Sequence, residues 1–222
     1  MCTRYISPES RDIEALWHVG GRTPLRWVRD MFPNYQGPFI RAARGDAGYS
    51  RELVVGQWAL IPWFAKERKL KFPTVNARSE ELSAKASYRD PWARGQRCII
   101  PAEAFFEPCW ETGKHVPWRF RRADGLPWGL AGLWNTWTDK ATGEIVESYT
   151  MLTLNADAHP LMRRMHRPDP KRGPDQQDKR SVVPIEPEDV DLWLAGPPAQ
   201  AAQLVRLSPP ESFEAGPAVG EG

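Results

Sequence analysis

Apolar positions along the chain fall into short alternating or continuous runs rather than long helical stripes, and the runs predict a strand-rich fold. Residues 7–19 predict a helix, with Ser7 as cap, Pro8 at the first helical position, and Ile13, Leu16 and Trp17 on one face. Gly20–Gly21 is expected to end it. Residues 22–50 are rich in Gly, Pro and Arg and read as irregular loop. ELVVGQWALIP (52–62) predicts a strand, and FAKERKLKFPT after it a basic surface loop. Ser79 is placed to cap a short helix whose first turn holds Glu80 and Glu81, where carboxylates suit the helix dipole. RCIIPAEAFF (97–106) predicts a strand with an irregular end. VPWRFRRADG, LPWGLAGLWNTW and IVESYTMLTL predict three more, separated by the turns ADG and DKATGE as in a meander. Asp157 predicts the start of a helix running to about Met165. SVVPI predicts a short strand, and Pro187 opens a helix that reaches Trp193 and stops at Gly196–Pro198.

Antiparallel strands mixed with peripheral helices predict an α+β fold, a single domain around a strongly curved, mostly antiparallel, barrel-like sheet. The expected domain covers 1–207, including a polar, Pro-rich insertion at 167–180, and 208–222 is expected to be a disordered tail. The absence of βαβ alternation and of a Gly-rich phosphate loop argues against a nucleotide-binding fold.

Composition narrows the class. The chain has 222 residues, 41% apolar and 26% charged, with a mean hydropathy of −0.56. That profile is globular and excludes a wholly disordered chain, a collagen or a coiled coil. No apolar run is long enough for a membrane span and no signal peptide is evident, so a cytoplasmic protein without a membrane partner is expected. Three cysteines do not make a disulfide framework. The net charge of +2 hides an asymmetry: residues 1–185 carry 29 bases and 21 acids, a body charge of +8 suited to a polyanion. Eleven tryptophans can fill a core or stack on bases.

Four places carry candidate chemistry. Removal of Met1 would leave Cys2 with a free α-amine beside its thiol. An α-amine has a pKa of roughly 7.7–8.0, so an appreciable share is neutral at pH 7 and able to attack an aldehyde. The thiol can then close onto the imine carbon as a five-membered thiazolidine. TVNARSEE offers Asn76 as an amide donor and acceptor and Arg78 as a phosphate fork. In IIPAEAFFEPCW, Glu103 and Glu107 lie among aromatic residues, where desolvation raises a carboxyl's pKa and suits it to proton transfer; only one of the two need point inward. LNADAHPLMRRMHRP holds His159 and His166, seven apart and so on one face if the segment is helical. No ligand spacing suggests a metal site, and no cofactor is expected.

In this order the motifs resemble one family. Cys2 after Met1, NAR-x-E at 76–80, RCIIPA leading into FFEP, and a His after TLNAD resemble the SOS-response-associated peptidase (SRAP) domain over residues 2–185. Thr3 departs from the family's Met-Cys-Gly-Arg, while Arg4 keeps it. WALIPW stands for the family's W-G-x-x-P-x-W. The proline-rich strand maps the family's Glu onto Glu107, and the family's Ile-His onto Met165–His166, followed here by the insertion.

The resemblance implies a protein that forms a covalent crosslink with abasic sites in single-stranded DNA, acting on nucleoid DNA as a monomer. In that scheme Cys2 supplies amine and thiol, Glu107 shuttles protons, His166 assists at the sugar oxygen, and Asn76 orients the N-terminus or the sugar. Arg4 and Arg78, with Arg163 and Arg164, would hold phosphates, and Trp58 and Trp63 would stack on bases. Self-processing of Met1 and β-elimination at the lesion belong to the same scheme. Two other readings stay open on the sequence: a thiol peptidase or hydrolase with Cys2 as nucleophile and His166 as base, and a non-covalent single-strand-binding module.

Overall fold

The computed structural model describes residues 1–19, 25–44 and 50–218 and folds them around two sheets. In chain order the elements are β1 (Tyr5–Ile6), α1 (Ser10–Trp17), β2 (Asp30–Met31), β3 (Gln36–Ala42), β4 (Arg51–Trp58), β5 (Asn76–Arg78), α2 (Ala86–Ala93) and β6 (Arg97–Ala102). There follow β7 (Ala104–Cys109), β8 (Val116–Arg122), β9 (Trp128–Thr138), β10 (Ile145–Asn155), β11 (Arg180–Val182), α3 (Val190–Ala195), α4 (Pro198–Gln203) and β12 (Phe213–Pro217). One sheet runs β12-β8-β7-β1-β2. In the other, β10-β4-β3-β6-β9 are neighbours and β9 pairs back onto β10, so five strands close into a barrel. Closure leaves no unpaired edge within that ring. The barrel pairs are antiparallel except β4 with β10, and β5 adds to β10 in parallel at Met151↔Asn76 to Thr153↔Arg78. The structure is thus α+β with a barrel core and peripheral helices.

The predicted strand 97–106 is two strands in two sheets. Cys98 and Ile100 enter one buried cluster and Ile99 the other, so β6 is covered on both faces and reads as a continuous apolar run. The chain crosses at Glu103, whose N–H bonds Ile6 O at 2.7 Å, and continues as β7 in the five-stranded sheet. The first cluster joins Phe39, Trp58 and Tyr149 of the barrel strands to Tyr5, Phe105 and Phe120 of the other sheet. The second packs Ile40, Ile99 and Leu133 against Ile13 and Trp17 of α1 and Trp193 of α3.

Several expectations are corrected. Residues 36–42, expected to be loop, form β3, paired along its length with β4. Its glycine is a packing requirement rather than a turn signal: a Cβ on Gly37 would lie 2.6 Å from the Tyr149 hydroxyl. The segment 157–165 is not a continuous helix; only Met162–Arg164 forms a 3₁₀ turn. Pro160 has no N–H to give, and the His159 ring takes the N–H groups of Leu161 and Met162 at 3.2 and 3.1 Å. The tail is not disordered throughout. Phe213–Pro217 pairs with β8, and Phe213 packs against Phe105, Phe120 and Trp128. The first helix begins at Ser10 with Glu9 as its cap, while Ser7 Oγ bonds Pro8 O. Its expected end at Gly20–Gly21 lies outside the described residues. No helix among them is long and apolar enough to cross a membrane.

Candidate functional site

β1 has only two residues, yet it fixes the N-terminal segment. Tyr5 pairs with Phe105 on one side and Met31 on the other. The Arg4 carbonyl accepts the Phe106 N–H at 3.0 Å and the Cys2 thiol at 3.3 Å. Antiparallel register beyond Tyr5 leads residues 1–3 along β7 toward Glu107. Cys2 is fully buried. Asn76, held by the β5–β10 pairing, donates its amide N–H to Cys2 O at 2.7 Å.

Glu107 and His166 meet at the other side of this segment. Glu107 Oε2 lies 2.7 Å from His166 Nε2, with the Glu107 side chain 1% exposed. The Met1 α-nitrogen lies 2.5 Å from the same Nε2 and 3.5 Å from Glu107 Oε2. One ring nitrogen facing an amine and a carboxylate is an arrangement that can relay a proton between them. His166 sits in left-handed backbone, φ 61°, with its N–H on Pro108 O at 2.6 Å. Burial pushes the Cys2 thiol up to about 12, and the Glu107 carboxylate adds to that rise.

The other carboxylate and the other histidine are elsewhere. Glu103 pairs with Arg29 at 2.5 Å. His159 is buried. Its Nδ1 accepts two backbone N–H groups, so Nε2 carries the proton that it donates to Ser208 O at 2.9 Å.

The predicted contact residues divide. Trp58 is fully buried, its Nε1–H on Val75 O at 3.1 Å and its ring edge-on to Tyr5, so it belongs to the core and cannot stack on a base. Trp63 is 62% exposed beside Phe64 and opens the basic loop with Lys66, Lys69 and Lys71. Arg4 forks onto Asp30 at 2.9 and 2.8 Å and lies over the Phe106 ring. Arg78 is ion-paired at 2.5 Å with Asp178 of the insertion. Arg163 is exposed, and Arg164 is held by Glu111 over the Trp118 ring.

Sequence reasoning did not single out three residues that the structure places near these candidates. Phe32 and Tyr35 are exposed aromatics; Phe32 lies beside Arg4 with Tyr35 against it, in a stretch rich in Gly, Pro and Arg that predicts only loop. Lys179 is buried behind His166, in a polar segment with no signal to distinguish it. Among the described residues, no group of three His, Cys, Asp or Glu is placed to hold a metal ion.

Comparison with known proteins adds relatives. The family described as SOS response associated peptidase (SRAP) matches residues 1–219. A solved structure of a protein from Bordetella bronchiseptica superposes with a TM-score of 0.84 at 36% identity, covering 97% of this chain and 99% of that one. Abasic site processing protein YoqW of Bacillus subtilis is 33% identical over 58% of this chain and 56% of its own length. Abasic site processing protein HMCES of Gallus gallus is 28% identical over 62% of this chain and 51% of its own. The chain therefore matches about half the length of these curated relatives.

Proposed function

The chain belongs to the SOS response associated peptidase family, and from that premise we propose that it processes abasic sites in single-stranded DNA by covalent capture on Cys2. The abasic sugar in its open form carries an aldehyde. With Met1 removed, the Cys2 amine adds to that carbon and forms a C–N bond. The resulting carbinolamine loses water to give an imine. The thiol then adds across the C=N bond, sulfur to carbon and proton to nitrogen, closing a thiazolidine. The net change is one aldehyde and one aminothiol to one ring and one water, with no oxidation, so the sequence of steps balances without a metal or cofactor.

The observation that carries this reading is the convergence of the Met1 amine on the Glu107–His166 pair while Asn76 holds the Cys2 carbonyl. The Met1 amine reaches a buried acid–base pair, and the Cys2 amine follows one residue on in the chain. Glu107 takes the proton shed by the attacking amine and returns one to the departing hydroxyl; His166 serves the sugar oxygen and shares the proton with Glu107. Asn76 orients the N-terminal residue. Arg4, Arg78, Arg163 and Arg164 hold flanking phosphates, Arg78 by exchanging Asp178 for a phosphate, and Trp63 with the basic loop stacks on neighbouring bases. We take the acting form to be a monomer associated with DNA.

A thiol peptidase needs His166 as base at the Cys2 thiol, whereas the thiol donates to Arg4 O and His166 Nε2 faces Glu107 and the Met1 amine. A purely non-covalent binder has no use for a buried Glu–His pair beside the N-terminus.

The test is a denaturing gel of single-stranded DNA with one abasic site, mixed with protein whose Met1 removal is verified by mass spectrometry. A stable shifted band is expected, lost in Cys2→Ala. No band from the processed wild-type protein overturns the proposal.

A further inference from the structure

Residues 167–180 form the polar, Pro-rich insertion leading from the histidine into β11. It is folded rather than loose. Gln177 is its hub: its amide oxygen takes the Asp169 N–H at 2.7 Å, and its amide nitrogen donates to the carbonyls of Arg172 and Gly173 at 3.0 and 2.8 Å. The loop leaves at His166 and returns at Lys179, and these two ends are joined. Lys179 Nζ donates to Met165 O at 2.7 Å and to His166 O at 2.6 Å.

We propose that Lys179 is a positioning residue for His166, its ammonium clamping the two carbonyls that flank the histidine so that the ring faces Glu107 and the N-terminal amine. The inference rests on the role proposed for His166 above.

Three observations support the clamp. First, His166 occupies left-handed backbone, which a residue with a Cβ adopts uncommonly. Its N–H is held by Pro108 O, next to Glu107, and its C=O by Lys179, so both ends of the residue are tied. Second, the Lys179 backbone is itself tied at both ends. Its N–H bonds Asp157 Oδ1 at 2.8 Å and its C=O takes the Ala156 N–H at 2.7 Å, where β10 ends and β11 begins. Third, a lysine only 5% exposed is costly, because burial disfavours the ammonium. The Asp157 carboxylate favours its charge, and the ammonium donates to the two carbonyls. A solvated surface lysine would need none of this.

The experiment uses the full chain with Met1 removed. In DNA-free protein labelled with ¹⁵N-histidine, the His166 ring resonances are identified by their loss in His166→Ala. Lys179→Met is expected to shift the His166 Nε2 resonance, and Lys179→Arg, which keeps the charged donors, to restore it in part. In single-turnover capture of abasic DNA, Lys179→Met is expected to slow the reaction about tenfold to a hundredfold, the scale for a misplaced catalytic group. The Lys179→Met/His166→Ala double variant is expected to be no slower than His166→Ala alone.

An unchanged His166 resonance in folded Lys179→Met, or a double variant slower by the full product of the single effects, overturns the proposal. Should Lys179→Met fail to fold by circular dichroism, Lys179→Gln, which keeps an N–H for one carbonyl, is read by the same criteria. If the wild type captures no abasic DNA, the functional reading fails, and the resonance measurement still decides the role of Lys179.

Discussion

Glu103 and Glu107 stand four residues apart in one apolar run, and the fold sends them to opposite fates. Glu103 lies at the crossing between the two sheets and reaches out to Arg29, while Glu107 lies on β7 and turns inward to His166. Their surroundings in the sequence are nearly the same, so composition could only offer both. On the proposed function, Glu107→Gln keeps the shape but not the proton acceptor. It is expected to slow capture by about 10²–10⁴-fold, the usual contribution of a positioned acid–base group, and to leave equilibrium DNA affinity unchanged. Glu103→Gln is expected to change neither. Stopped-time gels and fluorescence anisotropy check both variants. Trp58 makes the same point in reverse: a tryptophan in a recognisable motif is a core residue, and Trp63, five positions on, is the exposed one.

The insertion and β3 show what happens at the scale of elements. Both are rich in the residues that usually mark loops. In β3, Gly37 serves close packing and Pro38 occupies a strand in the barrel wall. In the insertion, Asp178 reaches Arg78 and Arg180, and Arg180 also meets Glu80, so the loop is stitched to β5 and the turn after it. This puts an internal carboxylate where a DNA phosphate is proposed to bind. Asp178→Asn weakens that competition. It is expected to tighten binding of single-stranded DNA and to steepen the log–log salt dependence by about 0.7, the value for one further phosphate contact. Anisotropy titrations at several salt concentrations measure both. Asp157 anchors the same loop. Burial opposes its charge, but the N–H groups of Lys179 and Asp178 and the Asn155 amide outweigh it and hold its pKa below the usual aspartate value. Its contribution to stability is therefore complete above about pH 4 and lost as pH falls through the lowered value. Asp157→Asn is expected to flatten the acid limb of a melting-temperature profile.

At the scale of the whole molecule, the barrel and the five-stranded sheet share one core. The Tyr5 and Tyr149 hydroxyls meet at 2.6 Å across the junction, and burial pushes both tyrosines, with Cys98, upward. Groups whose folded pKa is raised stabilise fully below their unfolded values, about 8.5 for Cys and 10 for Tyr. That stability is lost as pH rises through the folded values. Tyr149→Phe leaves the Tyr5 hydroxyl without its partner. It is expected to cost about 1 kcal/mol at neutral pH, with the difference narrowing in alkali, measured by urea unfolding at several pH values. β12 closes the other end of the core. Phe213→Ala is expected to cost about 3 kcal/mol, read from the same unfolding curves, because its ring meets Phe105, Phe120 and Trp128.

The strand runs of β4 and of β6 to β11, the α+β class and the order of the motifs were determined by local sequence, because alternation and turn chemistry act between near neighbours. So were the residue types that make an aminothiol, an amide, a carboxyl and an imidazole available. The tertiary structure alone decided which of two glutamates and two histidines meet, that Trp58 is core, and that a polar loop returns a lysine behind His166. Those choices depend on sheet crossings and strand register that bring residues 2, 76, 107 and 166 together from across the chain, and contacts at such separations leave no periodic trace in the sequence.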